Sequence, residues 1–165
     1  MATDAGPGAF QTIADDLDYP MVVVTTADGQ ERAGCLVGFA AQCSIDPPLL
    51  VVWLSKQNRT ARVAHRAATL VVHFLDRDQY DLAVLFGTTT GDEVDKFSRC
   101  SCRPGPDGVP RLADCPRWVA GHIVDRFDTG DHVGHLLDLF DGGAGDWAGQ
   151  LGFQAVKDLD AGHPA

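Results

Sequence analysis

Apolar positions along the chain follow two rhythms: short runs in which nearly every residue is apolar or β-branched, and a few stretches with apolar residues three or four apart. Residues 21–26, MVVVTT, are the first such run and predict a strand. Asp28-Gly29 supplies a turn, and residues 31–44, ERAGCLVGFAAQCS, continue as a second extended segment, so the two form a hairpin. Asp46-Pro47-Pro48 stops it, because proline gives no ladder hydrogen bond and holds the residue before it extended. Residues 49–55, LLVVWLS, and 69–76, TLVVHFLD, predict the third and fourth strands. Between them residues 58–68 read as a short helix that Asn58 or Thr60 can cap. Tyr80, Leu82, Ala83, Leu85 and Phe86 recur at helical spacing and predict a helix over 78–86 ended by Gly87; another short helix is predicted over 92–97. Residues 98–116, rich in proline, glycine and cysteine, predict a long surface excursion. Residues 117–128 and 131–141 flank Thr129-Gly130 and predict two last antiparallel strands. Hairpin-joined strands with helices after the third and fourth favour a mainly β, antiparallel barrel with a few peripheral helices over a doubly wound parallel sheet. Neither G-x-G-x-x-G after a strand nor G-x4-G-K-[ST] occurs.

Length allows one core: 165 residues are expected to form a single domain over 9–155, with residues 1–8 and 156–165 as loose ends. A short helix is expected over 9–18. Thirteen Lys and Arg against twenty-three Asp and Glu give a formal charge of −10, which repels nucleic acid and anionic lipid. No apolar run approaches the roughly 20 residues that cross a bilayer, and the first residues lack a signal pattern, so a cytoplasmic protein is expected. Five scattered cysteines read as reduced thiols; Cys100, Cys102 and Cys115 lack the usual C-x2-C spacing and a placed fourth ligand, so no metal is expected.

One local departure from the acidic balance changes the picture. The stretch between Asp46 and Asp76 holds no carboxylate, yet it carries Lys56, Arg59, Arg62 and Arg66. Two readings stand. Lys56, Asn58, Arg59 and Thr60 crowd the corner between the third strand and its helix, where a locally positive field and helix N–H groups can hold a phosphate. Alternatively the charges line a solvated helix face, which suits Arg62 and Arg66, four residues apart.

From Tyr19 to Phe140 the chain resembles the flavin reductase-like proteins, whose fold is an FMN-binding split β-barrel. The resemblance rests on GCLVGFAAQCSIDPP from Gly34 to Pro48, on the polar corner SKQNRT that follows the third strand, and on Gly130-Asp131-His132. It implies that Gly38, Phe39, Ala40, Ala41, Gln42, Cys43 and Ser44 line the isoalloxazine, and that Ser55, Lys56, Asn58, Arg59 and Thr60 hold the phosphate. It further implies that Lys96 and Phe97 flank the cofactor, and that His132 sits near the nicotinamide of NAD(P)H. Where relatives carry hydroxyl or amide side chains this chain has Leu36, Gly38 and Phe39, which leaves FAD or a deazaflavin open beside FMN. The implied activity is hydride transfer from NAD(P)H to flavin, with reduced flavin passing to a partner monooxygenase, in a homodimer. Other readings are a flavin-binding electron carrier or storage protein without a pyridine-nucleotide site, and a barrel that binds no flavin and acts through protein contacts.

Overall fold

The computed structural model describes residues 6–163. β1 (Val22–Ala27) and β2 (Arg32–Val37) form the first hairpin, and Gly29 takes the φ of +90° that its turn requires. Asp28 stiffens this turn by accepting from the backbone N–H of Gln30 and Glu31. The extended segment expected over 31–44 is broken at Gly38-Phe39, so β3 (Ala40–Ser44) is a separate strand. β4 (Leu49–Ser55) and β5 (Thr69–Phe74) follow, separated by the helix α2 (Arg59–Ala64). The long strands β8 (Arg117–Thr129) and β9 (His132–Ala144) turn at Gly130, whose φ is +86°.

All neighbouring strands pair antiparallel, in the order β2-β1-β5-β8-β9-β4-β3. The two ends of that order are consecutive in sequence and joined by only Gly38-Phe39, so the sheet rolls into the barrel expected from the sequence. Phe39 O accepts from Trp53 N at 2.9 Å and carries β4's pairing across the junction. At Gly38 an added Cβ would stand 2.7 Å from the Tyr19 ring, so this break depends on a missing side chain.

Both faces of the central strands are covered, which explains runs without polar alternation. Val22, Val24, Val52, Leu54, Leu70, Val72 and Leu137 fill the barrel. Val23 points the other way, into a second cluster with Leu75, Phe86, Phe97 and Leu112. That cluster is roofed by α3 (Tyr80–Thr88) and by residues 98–116. The latter are no bare surface excursion: β6 (Cys102–Pro104) and β7 (Pro110–Leu112) form a small ribbon, and Val109, Leu112 and Cys115 are buried. Its backbone satisfies polar groups on the outer face of the barrel. Leu112 N donates to His73 Nε2 at 3.0 Å, and Thr25 Oγ1 donates to Pro110 O at 2.6 Å.

Three further differences have local causes. Gly87 lies inside α3 rather than ending it, and there it makes room for Leu36, whose Cδ2 would stand 2.9 Å from an added Cβ. The helix expected over 92–97 is a short 3-10 turn, Lys96–Arg99, capped by Asp95, which accepts from Phe97 N at 3.1 Å. Of the loose ends expected at 1–8 and 156–165, residues 1–5 and 164–165 lie outside the described residues. Pro7 opens α1 (Pro7–Asp16), Val156 is buried, and Gly162 N donates to Gly87 O at 3.1 Å. Among the described residues no helix is long and apolar enough to cross a membrane.

Candidate functional site

β4 runs into the corner that the sequence singles out. Its last residue, Ser55, lies opposite His132 of β9, and Lys56 N then donates to Asp131 O at 2.9 Å. Asn58 N donates back to Ser55 O at 3.0 Å, which turns the chain, and Asn58 Oδ1 caps α2 by accepting from Thr60 N at 3.0 Å. Asn58 Nδ2 also lies 3.0 Å from His163 Nε2, so the far end of the chain returns to this corner. α2 has six residues, and a helix so short has a weak macrodipole. Any anion held here depends chiefly on side chains.

Beside this corner lies a cavity of about 380 Å³, within the usual range for small-ligand sites. Asn58, Arg59 and Thr60 line one side, the start of β2 with Gly34 another, and residues 91–97 the third. Lys96 and Phe97 therefore meet the Asn58 corner across one space, although nearly forty residues of chain separate them. Lys96 is only 5% exposed and, among the described residues, forms no ion pair with a carboxylate. Its Nζ donates to Gly34 O at 3.0 Å and Phe86 O at 3.1 Å and lies 5.5 Å from the centre of the Phe86 ring. Burial pushes the pKa of this ammonium down. Phe97 packs edge-on to Phe86 at 5.7 Å, and the Arg32 guanidinium covers its ring at 5.0 Å.

The locally positive field expected from the linear stretch is not what the folded corner presents. Lys56 pairs with Asp128. Arg59 reaches Glu31 at 3.1 Å, Asp92 at 3.9 Å and Gly91 O at 3.0 Å. Arg62 grips both oxygens of Asp92 at 2.7 Å, and Arg66 pairs with Asp28 and Glu31. The partner carboxylates come from residues 28–31, 92 and 128, all outside the stretch whose charges were summed. The backbone N–H groups of Glu31 and Gln30, and after them Arg66, hold Asp28 at a pKa of about 2; the Arg62 bond likewise lowers Asp92. Arg62 and Arg66 are both half-exposed, in line with a solvated helix face.

The segment from Gly38 to Ser44 runs along β3, the last strand in the sheet order, whose outer edge meets no further strand among the described residues. Ala41, Gln42 and Cys43 are exposed, while Ala40 packs against the barrel core. An open strand edge offers backbone N–H and C=O groups, and small side chains leave a flat approach to them. Phe39 is 52% exposed and lies 5.1 Å, ring to ring, from His132. His132 Nδ1 is 2.6 Å from Asp131 Oδ1, a contact that lowers the pKa of Asp131.

The structure thus divides the residues singled out from sequence. Asn58, Arg59, Thr60, Lys96 and Phe97 share the cavity; Phe39 and His132 touch each other, and Lys56 joins their neighbourhood through Asp131. Ala40–Ser44 lie along the strand edge and Gly38 in the break before it, all outside the cavity lining, and Ser55 is buried at the corner. Sequence reasoning missed Glu31, Gly91, Asp92 and Asp95 in the lining and Tyr19 beside Phe39. Thr89-Thr90-Gly91-Asp92 is a turn-forming stretch that could have pointed to Gly91 and Asp92.

The donor set fits a phosphorylated flavin: a guanidinium, an ammonium, an amide and a hydroxyl border one cavity, and an open strand edge with alanines is available for a planar ring. Among the described residues no three His, Cys, Asp or Glu side chains are arranged to hold a metal. All five cysteines are free thiols; burial is the main cause raising Cys100 to about 11 and Cys115 to about 12, so both stay protonated near neutral pH.

Comparison with known proteins gives a consistent picture. A family model described as "Flavin reductase like domain" matches residues 14–146. A "Probable flavin reductase" of Rhizobium meliloti is 32% identical over 114 residues, 67% of this chain and 36% of that protein. The "Flavin-dependent monooxygenase, reductase subunit HsaB" of Mycobacterium tuberculosis is 24% identical over 132 residues, covering 80% of this chain and 69% of that one. The crystal structure of a flavin reductase domain protein from Arthrobacter sp. FB24 superposes with a TM-score of 0.82 at 20% identity, covering 91% of this chain and 92% of the other. Of three curated relatives at 30–32% identity, the chain spans 36%, 48% and 56% of the length.

Proposed function

The chain belongs to the flavin reductase-like domain family, and from that premise we propose that it is an NAD(P)H:flavin oxidoreductase that uses FMN. The observation that carries the reading is the single cavity on which the β4–α2 corner and the Lys96-Phe97 turn converge. Arg59, Asn58 and Thr60 would bind the phosphate, with the buried charge of Lys96 favouring an anion nearby, and the edge of β3 would lie along the ring system. A flavin held there would supply the two-electron acceptor for hydride from the nicotinamide. The protein's share is binding, alignment and the exclusion of water, since hydride transfer needs little acid or base. With Nδ1 of His132 turned to Asp131, the other ring nitrogen, Nε2, is left for the carboxamide of a nicotinamide. His132 would then position the donor nucleotide.

The whole protein's setting is part of the same proposal. HsaB, a reductase subunit of a flavin-dependent monooxygenase, is a relative, and that supports a partner monooxygenase as consumer of reduced flavin. Phe10 and Ile13 on α1 and Leu17 just after it are all at least half exposed, an apolar stripe suited to a second copy in a homodimer. The charge of −10 and the free thiols suit a cytoplasmic protein. The test is steady-state oxidation of NADH and of NADPH with FMN, FAD or no added flavin. Saturable, flavin-dependent turnover with one nucleotide is expected, FMN giving the higher kcat/KM. A protein that binds flavin tightly yet oxidises neither nucleotide is an electron carrier or storage protein, and the reading fails.

A further inference from the structure

Arg59 is held in an unusual position among the cations of the site. Its carboxylate partners each have a second, independent cation. Glu31 Oε1 faces Arg59 at 3.1 Å while its Oε2 accepts from Arg66 at 2.7 Å. Asp92 is 3.9 Å from Arg59 but binds Arg62 through both oxygens at 2.7 Å. Asp28 holds the far side of Arg66 at 2.8 Å. The result is a chain of alternating charges, Asp28–Arg66–Glu31–Arg59–Asp92–Arg62, of which Glu31, Arg59 and Asp92 line the cavity and Arg59 is the cation that does so. If Arg59 lets go of both carboxylates, neither is left without a cation. Gly91 O would lose its bond from Arg59 Nη1, but a carbonyl at the cavity rim can be satisfied by water.

We propose that Glu31 and Asp92 are built-in competitors for Arg59 that set how strongly the site prefers phosphorylated flavin to riboflavin, so that flavin is exchanged as a substrate instead of being retained. The inference rests on the flavin reading above. A phosphate entering the cavity takes the guanidinium from two carboxylates and must also sit near them. Exposed pairs of this kind are weak individually and exchange readily, since both carboxylates are about half exposed. Their cost falls on the phosphate and spares the ring and the ribityl chain. Discrimination between FMN and riboflavin is therefore the quantity that reports it. Lys96 cannot replace Arg59 in this role, because two backbone carbonyls already hold its ammonium.

The experiment is a titration of FMN and of riboflavin, followed by flavin fluorescence, on the wild-type protein and on Glu31→Gln/Asp92→Asn. The double variant is expected to bind FMN roughly tenfold more tightly, with riboflavin unchanged. Adding Arg59→Gln should abolish that gain. A matched control, Asp138→Asn/Asp146→Asn, removes two exposed carboxylates away from the cavity and should leave FMN binding as in the wild type. The proposal is overturned if FMN affinity in the double variant stays the same or falls. It is equally overturned if both flavins tighten together or if the control tightens FMN as much. A wild-type protein that binds neither flavin overturns the flavin reading itself and this inference with it, whereas flavin binding without the FMN-specific gain overturns the inference alone.

Discussion

Arg59 and Lys96 reach the same cavity and are held in opposite ways, one by carboxylates at the surface and the other by backbone carbonyls inside. Lys96 is assigned to the site by its place in the cavity lining, where its buried positive charge raises the local field although two backbone carbonyls take its N–H groups. His132 is a different case, fixed by Asp131 on one nitrogen and by the ring of Phe39 on one side. His132→Ala is expected to raise KM for the pyridine nucleotide by about tenfold, the loss of roughly one hydrogen bond, with FMN affinity unchanged. Steady-state kinetics beside an FMN titration check it; equal effects on both ligands would mean a structural histidine. At this scale the sequence disclosed the residues and hid their partners. Asn58 was legible as a cap because its type and position before a helix suffice. The carboxylates on Arg59, Arg62 and Lys56 were not, because sheet pairing and loop return bring residues 31, 92 and 128 to them from far along the chain.

Strands were the most legible elements, since β1, β4 and β5 are runs of residues suited to burial on two faces. Their covering was less so. Residues 98–116 have the composition of a loop, yet they fold down because His73 and Thr25 on the barrel need partners that a loop's backbone can supply. Gly38 and Gly87 follow the same lesson. Glycine read along the chain suggests a strand interior or a helix end, whereas each is needed where a side chain crosses it, Tyr19 at the first and Leu36 at the second. The break at Gly38-Phe39 has a functional side too, for it separates the strand that lines the cavity, β2, from the strand that offers the open edge, β3. A continuous strand over 31–44 could not have served both ends of the sheet.

Across the whole molecule, two buried histidines tie stability to pH. His73 is fully buried between Val23 O and Leu112 N, and His135 is 1% exposed; burial is the main cause lowering each to about 4 from the ordinary 6.5. The unfolded chain therefore binds more protons between those values. The stability of the neutral form is present above about pH 6.5 and lost as pH falls toward 4. Unfolding free energy from denaturant titration should be lower at pH 5 than at pH 7 by about 2 kcal/mol for each histidine, and a flat profile would contradict their burial as neutral rings. The barrel as a whole was legible because strand count, hairpins and helix placement all agreed, while the balance of charge at its site appeared only once the chain was folded. The most direct measurement is FMN and riboflavin affinity for Arg59→Gln/Thr60→Ala beside the wild type. A loss of at least tenfold for FMN with riboflavin held is the predicted result. Unchanged FMN affinity in a folded variant would contradict a phosphate site at the β4–α2 corner.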